Sequence, residues 1–599
     1  MAGFSSIDIG VFLGYTFAIF GVAFWASRDR HNHDKNTEDY FLAGKTLPWW
    51  AIGASFIASN ISAEQFIGMS GSGFSMGLAI AAYEWMAATT LLIVAQWFIP
   101  IFLQKGVYTM PQFLLLRFDE RVRIGMAFYW AALYVLVNLT AVLYLGALSL
   151  ETALGLPWHW GLVGLALFSV AYSLYGGLSA VAWTDVIQVF FLVLGGLVCS
   201  YLALDWVSAH QGAWAGFLRL WQQYPQKFEL ILPPQNPFYN DLPGITVLLG
   251  GMWIANLSYW GCNQYITQRA LAARSLSEAR YGILFAAGLK LLMPILVVLP
   301  GMAVYDLYYS GQSFFVQTLG ATPQTLRPDR AYPALMSLVP TSLKGIVLAA
   351  LLGAIVSSIS SMMNSTATIF MMDIYKNLIH PKATEAHLVR GGRWVSLAAV
   401  AIAALLAPLL GSFQQVFQYI QEFTGFISPA VVAIFLFGLF WKPTTANAAL
   451  AAVVATFPIT IALKYGLPGL PFLDRMSLVF LALAYLMMLV TIWDKPLSLA
   501  VKQRLTIQAF FPLLPIALFG IRGWLWTDSV LDIRFPIGKS LMHFLAVFGL
   551  LTSLGMLRSL PPASNAFQWS KRLSLTTFAY KFWAGFILLV LVALYVFLH

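Results

Sequence analysis

Charge is what this chain has least of. Of its 599 residues only 10% are charged and 60% are hydrophobic, against about 25% charged in soluble domains. That scarcity excludes a soluble globular protein. The short alternating strands of a membrane β-barrel are missing too. Apolar runs of helical length recur instead, so one helical membrane bundle is expected. Cysteine is nearly absent: Cys199 and Cys262 lie in or beside apolar segments and are read as packing residues, not as a disulfide or metal site. No HExxH motif and no histidine cluster occurs. GKT (44–46) and GKS (538–540) lack the upstream glycine of a phosphate loop. Neither long polar connection, 207–242 or 307–339, is large enough for a catalytic domain. No enzyme is expected. The start MAGFSSIDIG lacks a basic n-region, and its apolar run leads into SRDRHNHDK without a small-residue cleavage site. It reads as a retained helix.

The net charge of +10 suggests an acidic partner until its placement is traced. Candidate helices fall near 6–26, 47–70, 77–104, 123–150, 157–175, 184–206, 243–265, 279–306, 340–375, 391–411, 418–441, 445–465 and 474–494. Weaker ones follow near 507–523, 541–557 and 582–598. The odd-numbered loops hold most of the lysines and arginines, among them Arg28, Arg30, Lys35, Lys105, Arg117, Arg269, Arg274, Arg280, Lys571 and Arg572. By the positive-inside rule those loops are cytoplasmic and the N-terminus lies outside. The basic excess sets topology, and nucleic-acid binding is not expected.

Two of these helices are interrupted. ASNISAEQ (58–65) puts a polar patch inside 47–70, and LLGGMWIANLSYWGCNQY (248–265) puts Gly250, Gly251, Asn256, Ser258, Gln264 and Tyr265 inside 243–265. They open two five-helix blocks, 47–206 and 243–441, flanked by 1–46, 442–494 and 495–599. Polar breaks at matching positions of two halves indicate an inverted-repeat transporter with its site at mid-membrane. The alternative is two ordinary kinked helices.

Residues 78–103, LAIAAYEWMAATTLLIVAQWFIPIFL, carry one charge, Glu84. Lys290 stands alone in FAAGLKLLMPILVVLPG. These two are natural partners for each other or for a shared ligand. With Asn60, Gln65, Asn256 and Gln421 they suit a neutral polyhydroxyl solute, whose hydroxyls both donate and accept. Tyr259 or Trp260 would cover the C–H face of a pyranose. An anionic substrate would favour an intramembrane arginine, and none is read. The bland alternative for Glu84 and Lys290 is snorkelling to an interface. Glu64 and Glu422 are read as helix-end or solvated residues, and Asp185 as a helix cap or part of an ion path. Ser357, Ser358, Ser360 and Ser361 supply hydroxyl oxygens that suit Na⁺ beside a broken helix, or else small side chains for helix contact.

NISAEQFIGMSGSGFSMGLAIAAYEWM (60–86), YSLYGGLSAVAWTDVIQVFFLVLGG (172–196), AIVSSISSMMNSTATIFMMDIYK (354–376) and FQYIQEFTGFISPA (417–430) resemble the sodium/solute symporter family over roughly residues 6 to 490. The resemblance implies an all-α polytopic protein of LeuT-type fold, two inverted five-helix repeats plus flanking helices, with 14 to 16 transmembrane helices here. It implies Na⁺-driven symport of a neutral hexose across a bacterial inner membrane, with myo-inositol or another polyol, a proton-coupled cycle, or a sugar sensor or channel as alternatives. It places sugar contacts on Asn60, Gln65, Glu84, Asn256, Lys290 and Gln421, an inner gate on Tyr259, and an outer gate on Met69, Tyr83 and Phe417, with Trp260 beside them. Sodium ligands fall on the carbonyls of Ala58, Ile61 and Ala354 and the hydroxyls of Ser357 and Ser358. Asp185 falls on the inner sodium route. One position departs: Ala87 stands where a sugar-carrying member has serine, removing a hydroxyl contact worth about 0.5–1.5 kcal/mol.

Overall fold

The computed structural model describes residues 6–27, 42–341, 343–413, 415–513, 535–567 and 576–598. All regular structure in these residues is helical. Backbone polar groups in lipid must be satisfied within the segment, which leaves helices as the economical solution for runs this apolar. The elements that position the site are α1 (Ser6–Ser27), α2 (Trp49–Asn60), α3 (Ser70–Met76), α4 (Ala82–Ile93), α5 (Trp158–Val207), α6 (Gly251–Asn256), α7 (Gln264–Leu271), α8 (Leu276–Met293), α9 (Leu343–Ile369), α10 (Val416–Thr424) and α11 (Ser428–Phe440).

Both expected interruptions are present, and local side-chain chemistry accounts for each. The first helix stops at Asn60 and resumes as a π-helical turn, Glu64–Met69. The Ser62 N–H, which a continuous helix would give to Ala58, goes to Gln65 Oε1 at 3.2 Å, and Ser62 Oγ accepts from the Glu64 N–H at 3.1 Å. Such local bonds compete with the helix ladder. In the second, Cys262 and Asn263 leave helical geometry between the turn Leu257–Gly261 and α7. Asn263 Oδ1 accepts from the Tyr265 N–H at 3.2 Å, and the Gln264 N–H donates to Tyr134 Oη at 2.9 Å. The start of the first broken helix and the end of the second are tied together: Leu47 N–H donates to Ala272 O at 3.1 Å, and Arg274 N–H to Leu47 O at 3.3 Å.

Among the described residues nine helices are long and apolar enough to cross a membrane, and the pair α10–α11, bent by 44°, makes a tenth. The expected 14 to 16 include crossings assembled from short pieces, such as α2 at 12 residues and α6 at six. The spans read at 157–175 and 184–206 are joined in one helical stretch, α5, of 50 residues. No proline and no acidic or basic residue stops the helix between 158 and 184. In the tail, helices occupy Leu499–Phe510, Phe535–Met556 and Phe578–Phe597. The part of the expected helix beyond 513, and the loop cations Arg28, Arg30, Lys35, Lys571 and Arg572, lie outside the described residues.

Two glycines set the packing of α3. Gly77 ends it at φ +76°, facing the Lys227 carbonyl. A Cβ on Gly301 would sit 2.0 Å from Ser70 O, so the helix after α8 lies directly against α3.

Candidate functional site

The charge pair read from the sequence forms. Lys290 Nζ is 2.5 Å from Glu84 Oε2 and also donates to Asn60 Oδ1. Lys290 is fully buried and Glu84 is 3% exposed, so snorkelling is ruled out for both in this structure. The ammonium lies 4.8 Å from the centre of the Trp260 ring, a cation–π contact. Asn60 Nδ2 donates to Tyr259 Oη at 3.1 Å. One buried array thus links α2, α4, α8 and the second broken helix.

In front of it is a cavity of about 60 Å³, larger than the roughly 10–15 Å³ one water needs. Asn60, Gln65, Glu84, Asn256, Tyr259, Trp260 and Gln421 line it, with Met69, Tyr83, Phe417 and Ala87. Lys290 does not reach its wall; it stands one layer behind, holding Glu84 and Asn60. Asn256 is half committed within its helix, donating to Met252 O at 3.1 Å and accepting from Trp260 Nε1 at 3.2 Å. Of the residues expected to form an outer gate, Tyr83 and Phe417 meet edge to face, ring centres 5.3 Å apart, and Met69 is buried beside the cavity. Four further polar groups line the cavity: Glu64, Asn138, Asn263 and Thr424. Glu64 is 4% exposed, which corrects its reading as a solvated helix end. Its signal was the break itself, since Glu64 opens the buried turn that follows it. Glu422 fits its bland reading, pairing with Lys464 at 2.8 Å and Arg475 at 3.2 Å in a half-buried triad.

The serine cluster packs on the first break. Ser358 Oγ lies 3.4 Å from Ala58 O and 3.3 Å from Ser59 O, carbonyls freed where α2 stops. Ala354 is one turn before Ser358 on α9, and Ile61 is the first extended residue after α2. Ser357 instead donates to Asp185, as does Ser55. Asp185 is fully buried inside α5, so it does not cap a helix. Its cation is Arg269, 3.8 Å away and also fully buried. Arg269 donates to Ser55 Oγ at 2.9 Å, Ser55 O at 3.1 Å, Tyr265 O and Ser361 Oγ. The readings of Arg269 as a loop residue and of the bundle as free of arginine are both overturned. The break at Cys262–Asn263 turns α7 back into the protein, and its arginine goes with it. Among the described residues no group of three or more His, Cys, Asp or Glu side chains forms a metal site.

Beside Phe417 and α3 a connecting segment clasps the broken helix. Asp329 Oδ2 accepts from the Val416 N–H, beside Phe417, at 3.0 Å, and its other oxygen faces Gly71 of α3. Lys227 Nζ caps the end of α3, donating to Phe74 O at 3.0 Å and Ser75 O at 2.5 Å. Burial pushes the Asp329 carboxyl up from 3.8 to about 7, against the Val416 N–H and Arg327, which pull it down. In this buried contact the carboxyl binds its proton more tightly than a hydrated carboxyl would. Closure is expected to be favoured as pH falls from about 7 to about 4, by up to about tenfold per pH unit. Spin labels on Trp214 and Phe314 would report it as a pH-dependent distance distribution. Asp329→Asn is expected to flatten the dependence.

Two broken helices, each interrupted beside a buried polar cavity, with a cation-compatible oxygen cluster behind, define a solute transporter of the inverted-repeat class. The chain belongs to the sodium:solute symporter family, whose model matches residues 40–455, so it is a sodium-coupled membrane transporter and not an enzyme. It is 55% identical over 479 residues to the sodium/glucose cotransporter of Vibrio parahaemolyticus, covering 79% of this chain and 88% of that one. It is 34% identical over 463 residues to the mouse sodium/myo-inositol cotransporter 2, covering 75% and 68%. The LeuT-type fold is shared with a Na⁺-coupled sialic acid symporter solved substrate-bound and outward-open, with TM-score 0.70 at 22% identity, covering 82% of this chain and 99% of that one.

Proposed function

We propose that this protein couples inward Na⁺ movement to uptake of a neutral hexose, glucose or galactose, across a bacterial inner membrane, with its N-terminus outside. The observation that carries the reading is the Glu84–Lys290–Asn60 array beside a cavity rich in carboxamides. Its charges cancel internally, so an uncharged solute fits it better than an ion. Glu84 would accept two sugar hydroxyls, while Asn60, Gln65, Asn256 and Gln421 both donate and accept. The 55% identity to a sodium/glucose cotransporter supports the choice of solute.

The cycle is alternating access between repeats 47–206 and 243–441. Na⁺ enters from outside onto the oxygens of Ala58, Ile61, Ala354, Ser357 and Ser358 and fixes the first break, which sets Asn60 and Gln65 for sugar. Met69, Tyr83 and Phe417 close above, Tyr259 yields below, and Na⁺ leaves past Asp185. Coupling is the difference in each ligand's affinity for the two states. A potential of 100 mV supplies about 2.3 kcal/mol per charge and a tenfold Na⁺ gradient about 1.4 kcal/mol. One Na⁺ thus supports sugar accumulation of a few hundredfold.

The test is uptake of labelled glucose, galactose and myo-inositol into proteoliposomes under an inward Na⁺ gradient, with K⁺ as control. Concentrative hexose uptake that requires Na⁺ is expected, and Ala87→Ser should shift the preference between the two hexoses by up to about tenfold. Accumulation of myo-inositol alone would move the solute to the polyols. Sugar-evoked current without accumulation would make the protein a channel or sensor.

A further inference from the structure

A second cavity, of about 450 Å³, lies apart from the sugar site between α1, the first part of α5 and α9. It falls within the roughly 300–1,000 Å³ typical of small-molecule sites. Its walls are apolar, including Phe12, Leu165, Phe168 and Leu352, and no charged residue lines it. Exposed Trp160 and Ile9 stand at its mouth, so it opens on the lipid-facing surface.

The wall is not wholly apolar: Tyr15, Thr16 and Gln188 also line it. Gln188, 1% exposed, lines the cavity, and neither its Oε1 nor its Nε2 has a hydrogen-bond partner. The hydroxyl of Tyr15, another lining residue, is likewise unpartnered. Both side chains converge on Gly353, where an added Cβ would sit 3.0 Å from Tyr15 Oη and 3.2 Å from Gln188 Cγ. A buried carboxamide with neither bond made is costly. A hydroxyl gives each atom one partner, donating to Oε1 and accepting from Nε2.

We propose that this cavity binds an uncharged single-chain amphiphile, a long-chain alcohol or monoacylglycerol, whose hydroxyl meets Gln188 and whose chain fills the apolar walls. A phosphodiester or carboxylate head finds no cation in the lining to pair with. The site is not neutral towards transport geometry. Gln188 is one turn from Asp185 on α5, and Gly353 one turn from Ser357 on α9, so the occupant touches the two helices that Asp185 and Ser357 join.

The experiment uses the full chain in proteoliposomes and a tetradecanol carrying a chain diazirine, with labelled peptides mapped by mass spectrometry. Saturable labelling confined to peptides within 9–19, 150–168 and 348–356 is expected, displaced by unlabelled tetradecanol. Gly164 lines the cavity with open space where its Cβ would be, so Gly164→Phe should fill it and abolish labelling without disturbing the fold. Gln188→Leu keeps the volume, removes two hydrogen bonds and should weaken competition by about tenfold. Labelling that is non-saturable, spreads over all lipid-facing helices or survives Gly164→Phe overturns the site. Equal competition by tetradecane, which has no hydroxyl, overturns the anchoring role of Gln188 and the proposal with it.

Discussion

Lys290→Met is expected to abolish sugar accumulation and to destabilise the protein. The ammonium is fully buried with the Glu84 carboxylate at 2.5 Å and the Asn60 carbonyl oxygen as partners. Removing it leaves a carboxylate in the bundle with its cation gone, a change that costs about 3–5 kcal/mol. The same substitution frees Asn60, so the cavity loses the fixed geometry of two of its lining residues. Glu84→Gln alone should be comparably harmful, now stranding the ammonium against Trp260. The double variant Lys290→Met/Glu84→Gln discriminates between causes. If the pair is a structural clamp and a sugar site together, the double variant regains most of the thermal stability and none of the transport. Melting temperature in detergent, read beside equilibrium sugar binding, separates the two. Recovery of both in the double variant would mean that neither charge meets the sugar.

The sequence showed this pair because single charges in long apolar runs have few explanations, although its members are 206 positions apart. The breaks were legible for a similar reason: Ser62, Asn263 and their carboxamide neighbours offer the backbone partners other than the helix, and that preference is local. The gate reading of Tyr83 and Phe417 came through resemblance alone, since nothing in an aromatic side chain within an apolar run distinguishes a gate from packing. Arg269 was not legible. It follows a break by a few residues, and a cation near the end of an apolar run is ordinarily a loop residue. What makes it an interior one is Asp185 and Ser361, the latter 92 positions away. Glu64 was misread because a carboxylate beside a helix break is ordinarily a helix-end or solvated group, whereas here the chain resumes buried as a turn from Glu64. The layer that Lys290 occupies, behind the cavity wall and not on it, is a matter of side-chain depth, to which one-dimensional spacing is blind.

The first broken helix is gripped differently at its two ends, and this asymmetry suits a rocking bundle. Its first half, α2, is bonded through Ser55 to Asp185 of α5 and through its last carbonyls to Ser358 of α9. Its second half packs on Asp329 and is capped by Lys227, both in connecting segments. Asn60 and Gln65 sit at the break between these two grips.

Asp185→Asn and Arg269→Gln are expected to shift Na⁺ affinity in opposite directions. Arg269 stands 3.8 Å from Asp185, both without exposure, and no other cation pairs with that carboxylate among the described residues. The guanidinium occupies the electrostatic position that a sodium ion on its way past Asp185 would need. With Arg269→Gln the carboxylate loses its cation, and Na⁺ is the replacement at hand. Apparent Na⁺ affinity should rise by about tenfold, equivalent to about 1.4 kcal/mol, while turnover falls because the ion leaves slowly. Asp185→Asn does the reverse. The amide oxygen can accept from only one of Ser55 and Ser357 without presenting its own donors to the other, and the guanidinium is left buried. Na⁺ affinity should drop by at least about tenfold, with a stability loss of about 3–5 kcal/mol. The Na⁺-dependent rise in melting temperature measures both, without needing transport. Opposite signs place Asp185 on the ion's route with Arg269 as its competitor. A loss of stability in both variants with unchanged Na⁺ response would reduce the pair to a brace between α5 and α7.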